Sequence, residues 1–409
     1  MKQLFTLLLT LTVLSAIAQQ DPWQQQTGDM PPARAFHTMV EINGTVYLFG
    51  GEDEASRDML NDLWSYDESN TWSRKEPLNP PSARRYHTAT AKDGKMYVFG
   101  GEVAEGISMD IWVYDPELNE WTKEQDNSTQ NPKVNHRAIA GESKIWITGG
   151  YDFITGEATG ATWSYDVNTL EWTRVADCPS PRLGHVTYYK DGKLVVYGGK
   201  HGDKILKDMW SYDIEKNEWT EITPVGTSPE RLKFSAYDDN DEILWVAGGM
   251  TITEDGPKYS EDTWEYDIQN NSWKKKTNGP PFSFGAGAIL PNSNRSNDYV
   301  ALTFAGKLEG ILSNETWIYN SADDLTAINE KPSYPLNVKV YTKSIDNYIA
   351  VESDEIIQEI KVFNSNGKLI LMQQSNSYKT IINLQGRTSH FYILQIRSNN
   401  ILITKKITI

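Results

Sequence analysis

Arg34-Ala35-Phe36-His37, Thr45-Val46-Tyr47-Leu48-Phe49-Gly50-Gly51, Leu63-Trp64-Ser65-Tyr66-Asp67 and Thr71-Trp72 together form the stretch whose reading decides the fold. The frame returns as Arg84-Arg85-Tyr86-His87, Tyr97-Val98-Phe99-Gly100-Gly101, Trp112-Val113-Tyr114-Asp115 and Trp121. Glycine pairs open at Gly50, Gly100, Gly149, Gly198 and Gly248, and Ala305-Gly306 closes a weaker sixth copy. Each copy holds four short runs of alternating apolar residues with turn residues between them. A repeat of about 50 residues carrying strands and a glycine pair is the mark of a propeller blade.

The tryptophans set the number of blades. Six stand in the third run (Trp64, Trp112, Trp163, Trp210, Trp264, Trp317) and five in the fourth (Trp72, Trp121, Trp172, Trp219, Trp273). The last copy lacks a fourth-run partner, while Trp23 stands alone before the first. The strand around Trp23 therefore supplies the missing outer strand and closes a ring of six, which leaves no exposed edge at the seam. A fixed place in every repeat favours blade packing over sugar stacking for these twelve rings. The Asp-rich turns after each Trp-x-Tyr lack the spacing of a calcium loop and read as hairpin turns.

Of the 409 residues, 39% are hydrophobic, a globular proportion. The net charge of -16 argues against nucleic acid as a general partner. With one cysteine, Cys178, no internal disulfide is available and stability rests on packing. Residues 1–18 read as a secretory signal peptide, with Lys2, an apolar Leu4–Leu14 stretch and Ala16-Ile17-Ala18 at the cleavage position. No other segment approaches a transmembrane span. The propeller is expected over 19–321 and a linker over 322–335. Seven alternating runs over 336–409, among them Val338–Tyr341, Ile360–Phe363 and Phe391–Ile396, read as a small Ig-like β-sandwich.

The double glycines, Trp-x-Tyr-Asp blocks and paired tryptophans resemble the kelch β-propeller family across about three quarters of the chain. The fold class is thus all-β, a six-bladed kelch propeller followed by the sandwich. Ile360-Lys361-Val362-Phe363-Asn364-Ser365-Asn366-Gly367, Phe391–Ile396 and the terminal Lys405-Lys406-Ile407-Thr408-Ile409 resemble the sorting domains of the type IX secretion system of Bacteroidetes. That resemblance implies contact with the secretion machinery, passage through the periplasm, and release or display at the outer cell surface.

Three positions before the histidine slot stand Arg34, Arg84, Lys133, Arg182 and Arg231. Hairpin connections place them at the mouth of the ring that also carries the residues after each Gly-Gly, including Glu52 and Glu102. Five cations on one mouth of an acidic chain suit a carboxylate, sulfate or phosphate ligand. The competing reading has each cation paired with an acid and holding blades together. The slot itself holds His37, His87, His136 and His185, then Phe234, which suits packing better than metal ligation. No metal or cofactor is expected. The leading functional reading is a binding module for an anionic glycan or acidic peptide. The alternative is an enzyme similar to kelch-type sialic-acid epimerases or mutarotases, with Glu52 or Glu102 as acid or base. A galactose-oxidase-like copper site is disfavoured because Cys178 sits in an ordinary inter-blade loop.

Overall fold

The computed structural model describes residues 22–320 except 54–55, 68, 127–132, 231–234, 239–242, 254–255, 281, 291–299 and 309–310, and residues 338–408 except 344–347, 365–367, 385–390 and 399–400. The expected signal peptide at 1–18 and linker at 322–335 lie outside the described residues. Two compact units are present, Met1–Asp324 and Leu325–Ile409.

The first unit is a six-bladed propeller. Blade 1 runs Thr38–Ile42, Thr45–Asp53, Met59–Tyr66 and Trp72–Lys75, all antiparallel. The inner strands Thr38–Ile42, Thr88–Lys92, Arg137–Ala140, Val186–Lys190, Ser235–Asp238 and Ala286–Leu290 pack side by side, and the last lies against the first. Trp23–Gln25 pairs with Ile311–Asn320, setting Trp23 opposite Tyr319. One sheet thereby joins the two ends of the ring, and Ile311–Asn320 is paired along both of its edges.

Period-two alternation explains how the blades stick together. In Thr45–Asp53, Val46 and Leu48 face blade 6 and pack with Leu302 and Phe304. Tyr47 and Phe49 point the other way, onto Met96, Val98, Tyr114 and Trp121 of blade 2. The same division gives one apolar cluster for each of the six seams. Each fully buried side chain of this size contributes roughly 1.5–3 kcal/mol before entropy is counted.

The glycine pairs and histidines are two halves of one seam. A Cβ on Gly50 would meet the Arg84 carbonyl at 2.9 Å and His87 Cε1 at 3.0 Å, both from the next blade. On Gly51 it would strike the Ala35 carbonyl at 2.7 Å and His37 Cβ at 3.0 Å, within its own blade. Gly149 and Gly150 hold His185 and His136 in the same way. His87, His136 and His185 thus each fill the space two absent side chains leave, and both glycines in each case have positive φ.

The Asp-rich turns are held by their own backbone. Asp115 Oδ1 accepts from the Glu117 and Leu118 N–H groups at 3.0 and 3.2 Å, and Asp166 does likewise for Asn168 and Thr169.

Among its described residues, the second unit is an antiparallel sheet of five strands rather than the seven runs the sequence suggests. Tyr348–Phe363 and Leu369–Asn383 each absorb two runs into one long strand. Register shifts between Glu352 and Ile357 let the strands continue through polar residues that look like a break. The first half of Tyr348–Phe363 pairs with Val338–Lys343 and its second half with Phe391–Ser398, which in turn pairs with Ile401–Thr408. Ile349, Val351, Ile360, Val362, Leu394 and Ile396 form its core.

Candidate functional site

Among the described residues, the chain enters five of the six blades through one residue held at positive φ just before the histidine slot: Phe36 (62°), Tyr86 (58°), Asn135 (56°), Gly184 (61°) and Phe284 (57°). These residues are tied into a belt across the blades. The Phe36 N–H donates to the Phe284 carbonyl at 3.1 Å, Tyr86 to Phe36 at 3.3 Å, Asn135 to Tyr86 at 3.2 Å and Gly184 to Asn135 at 3.2 Å. The belt rims one mouth of the ring, and the residues after the glycine pairs stand beside it. Ala35 lies opposite Glu52, Arg85 opposite Glu102, Val134 opposite Tyr151, Leu183 opposite Lys200 and Ser283 opposite Lys307.

The four described cations of the expected five, Arg34, Arg84, Lys133 and Arg182, are buried rather than exposed at this mouth. Arg34, Arg84 and Arg182 are buried, and each ends in the same in-blade network. Arg34 Nη1 and Nη2 donate to Asp62 at 2.5 and 2.7 Å, Nη1 also to the Gly50 carbonyl and Nε to the Pro32 carbonyl. Arg84 does this with Asp110, Gly100 and Ser82, and Arg182 with Asp208, Gly198 and Ser180. Each aspartate also accepts the indole N–H two residues on, from Trp64, Trp112 or Trp210. Burial pushes these carboxyls up, but the arginine outweighs it and leaves all three below the usual range. An arginine with all its edges engaged has no fork left for a ligand.

Blade 3 departs in concert. Lys133 replaces the arginine, Ala161 stands where the aspartate would be, and the Lys133 ammonium lies 5.8 Å from the Trp163 ring centroid. Burial lowers the Lys133 pKa against the opposing charge of Asp152. Arg231 lies outside the described residues.

The groups that do reach the mouth stand one or two positions further on. Phe36 and Tyr86 are half-buried, with ring centroids 4.3 Å apart, and Phe36 meets Phe284 edge-on at 5.2 Å. Arg85 lies 5.2 Å from the Tyr86 ring centroid and Lys307 5.5 Å from that of Phe284. Glu52 and Glu102 grip the same guanidinium: Arg85 bonds Glu102 through Nη2 at 2.8 Å and Nε at 3.0 Å, and Glu52 through Nη1. The Glu102 hydrogen bond, followed by Glu52, holds the Arg85 pKa above the ordinary arginine range. Arg57 adds a second cation to Glu52 at 3.0 Å. The two candidate carboxylates are therefore brought together, with cations between them.

Further round the same mouth, a groove of about 340 Å³ lies between the hairpins of blades 3 and 4, lined by Tyr151, Glu157, Leu183, Lys200 and His201. The neighbouring Phe153 and Ile154 are exposed. The histidines of the repeat slot contribute nothing to the mouth. All four are buried, and burial followed by the neighbouring cation (Arg34 for His37, Lys133 for His136) lowers both pKa values to about 3. Among the described residues no three His, Cys, Asp or Glu side chains gather as a metal site, and no helix is long and apolar enough to cross a membrane.

Comparison with known proteins agrees with this architecture. Residues 10–177 and 126–294 match the KLHDC2/KLHL20/DRC7 Kelch-repeats domain, and residues 339–409 match the secretion system C-terminal sorting domain. The chain is similar to beta-scruin of Limulus polyphemus, 26% identical over 41% of this chain and 19% of that protein. It is also similar to Kelch domain-containing protein 2 of Bos taurus, 26% identical over 61% of this chain and 55% of that protein. A Rho GTPase-activating protein, gacHH of Dictyostelium discoideum, is 34% identical over 30% of this chain and 9% of its own length. The chain thus spans about half or less of these relatives. The sorting domain addresses the protein for export, to the cell surface or the medium. The chain belongs to the kelch-repeat family, as a six-bladed propeller that carries a type IX secretion sorting domain at its C-terminal end.

Proposed function

We propose that this protein is an exported interaction module that takes a glycan at the belt mouth, on the platform of Phe36, Tyr86 and Phe284. One observation carries the reading. The belt needs a residue at positive φ, which Gly184 supplies without strain, yet three of the five described positions hold a bulky aromatic there. Such a conformation costs of order 1–3 kcal/mol for a non-glycine residue and clusters at functional sites. The rings are half-buried and offer faces suited to the apolar face of a sugar, while Glu52, Arg85 and Glu102 beside them suit its hydroxyl groups. Because Arg34, Arg84 and Arg182 are already neutralised inside the blades, sugar shape weighs more on this platform than ligand charge. The epimerase or mutarotase reading is weaker, since both carboxylates are engaged by Arg85 rather than aimed into open space.

Screening the secreted protein against an array of neutral and acidic oligosaccharides, followed by calorimetric titration of the best hit, tests the proposal. Retention of a glycan that Tyr86→Ala no longer holds supports it. Absence of any glycan ligand overturns it. Accelerated anomer exchange by NMR, lost in Glu52→Gln, would move the reading to the enzyme.

A further inference from the structure

Arg137 opens the inner strand Arg137–Ala140 of blade 3, directly after His136. Its Nε donates to the His185 carbonyl at 2.6 Å, across the seam to blade 4. Its two terminal nitrogens make no protein hydrogen bond among the described residues, and no carboxylate there lies within ion-pair distance of it. Arg34, Arg84 and Arg182 each have an aspartate at 2.5–2.8 Å. The blade architecture does not require this arginine, because the equivalent positions hold Thr38, Thr88, Val186, Ser235 and Ala286. Burial alone holds its pKa below the ordinary arginine range, with no acid to oppose it. The residue as a whole is half-buried, so solvent reaches its free edge, and an oxyanion there would exchange water for a charge-assisted hydrogen bond. The approach is open at this seam. The belt residue there is Gly184, without a side chain, whereas Phe36 and Tyr86 fill their own positions. Leu183, next to Gly184, lines the groove that Lys200 and His201 also line.

We infer that Arg137 is an oxyanion-binding residue whose free guanidinium edge takes one carboxylate, sulfate or phosphate group of a ligand entering past Gly184. A planar fork with two free donors matches such a group in bidentate fashion. Lys200, in the groove that Leu183 also lines, adds a positive charge on this side of an otherwise acidic protein. This site is separate from the aromatic platform and does not depend on it.

The test is calorimetric titration of the secreted protein with sodium sulfate, phosphate and glucuronate in chloride buffer at constant ionic strength. At least one of these should bind the wild type and bind Arg137→Met at least tenfold more weakly. Preference for sulfate or phosphate would assign a tetrahedral ester group, and preference for glucuronate a sugar acid. Equal oxyanion binding by both proteins, or none by the wild type, would overturn the inference. If Arg137→Met fails to fold, Arg137→Lys keeps the charge and loses the fork. Weakened binding in that variant supports the assignment and unchanged binding overturns it. A wild type that takes oxyanions but no glycan leaves this site standing while the platform reading falls.

Discussion

Phe36 and Tyr86 belong to neighbouring blades, yet their ring centroids stand 4.3 Å apart and the Tyr86 N–H donates to the Phe36 carbonyl at 3.3 Å. Both residues are at positive φ, so side-chain stacking and backbone strain meet at one point. Tyr86→Gly should release that strain, worth of order 1 kcal/mol, while losing a stack worth roughly 0.5–1.5 kcal/mol. Urea unfolding should therefore show a net change within about 2 kcal/mol. A much larger loss would mean that the ring is part of the core.

The Arg84–Asp110 pair should behave as scaffold. Asp110→Ala leaves a buried guanidinium without its acid, and we expect a loss of roughly 3–5 kcal/mol by urea unfolding. Replacing both partners together, as Arg84→Met with Asp110→Leu, should cost clearly less than Asp110→Ala alone. Ligand affinity of the folded double variant should match the wild type, since neither side chain reaches the mouth.

Glycines at positive φ should differ sharply by location. At Gly192 a Cβ would meet nothing within 4 Å, so Gly192→Ala should cost about 1 kcal/mol from backbone conformation alone. At Gly149 a Cβ would stand 2.6 Å from both the Arg182 carbonyl and His185 Cε1. Gly149→Ala should lose roughly 3 kcal/mol or more, as the seam between blades 3 and 4 must open. Equal melting temperatures for the two variants would contradict the role assigned to the glycine pairs.

Acid should weaken the propeller through its histidines before its carboxylates. His37 and His136 have folded pKa values lowered from 6.5 to about 3, so the unfolded chain takes up protons first. Their contribution is full above pH 6.5 and falls by about 1.4 kcal/mol per pH unit for each histidine down to about pH 3. The paired Asp62, Asp110 and Asp208 have lowered pKa values, and their contribution is lost only below about pH 4. Urea unfolding between pH 7 and 4 should show this slope, and His136→Phe should reduce it. A flat profile over that window would rule out buried neutral imidazoles.

The scaffold was legible in the sequence because every blade solves the same packing problem, so Gly50, Trp64, Tyr66 and Trp72 recur at fixed spacing. The site was less so. Arg34, Arg84 and Arg182 recur for the same reason as the tryptophans, and regularity alone gives no sign of which way a cation points. One signal was present. Each of these arginines is accompanied by an aspartate two residues before the tryptophan, Asp62, Asp110 and Asp208, and where Lys133 replaces the arginine, Ala161 replaces the acid. The residues at the mouth are those that break the repeat: Phe36, Tyr86, Asn135 and Gly184 share one backbone conformation and little chemistry. Arg137 is likewise visible as a lone cation among Thr38, Thr88 and Val186, but only once the strands are aligned. In the C-terminal unit, bulged long strands hide behind polar interruptions that read as turns.

The most direct test of the aromatic platform is calorimetric titration of the best array glycan into the wild type and the Phe36→Ala/Tyr86→Gly double variant at pH 7. The account predicts that the folded double variant binds at least tenfold more weakly. Equal affinity in the two proteins would contradict it.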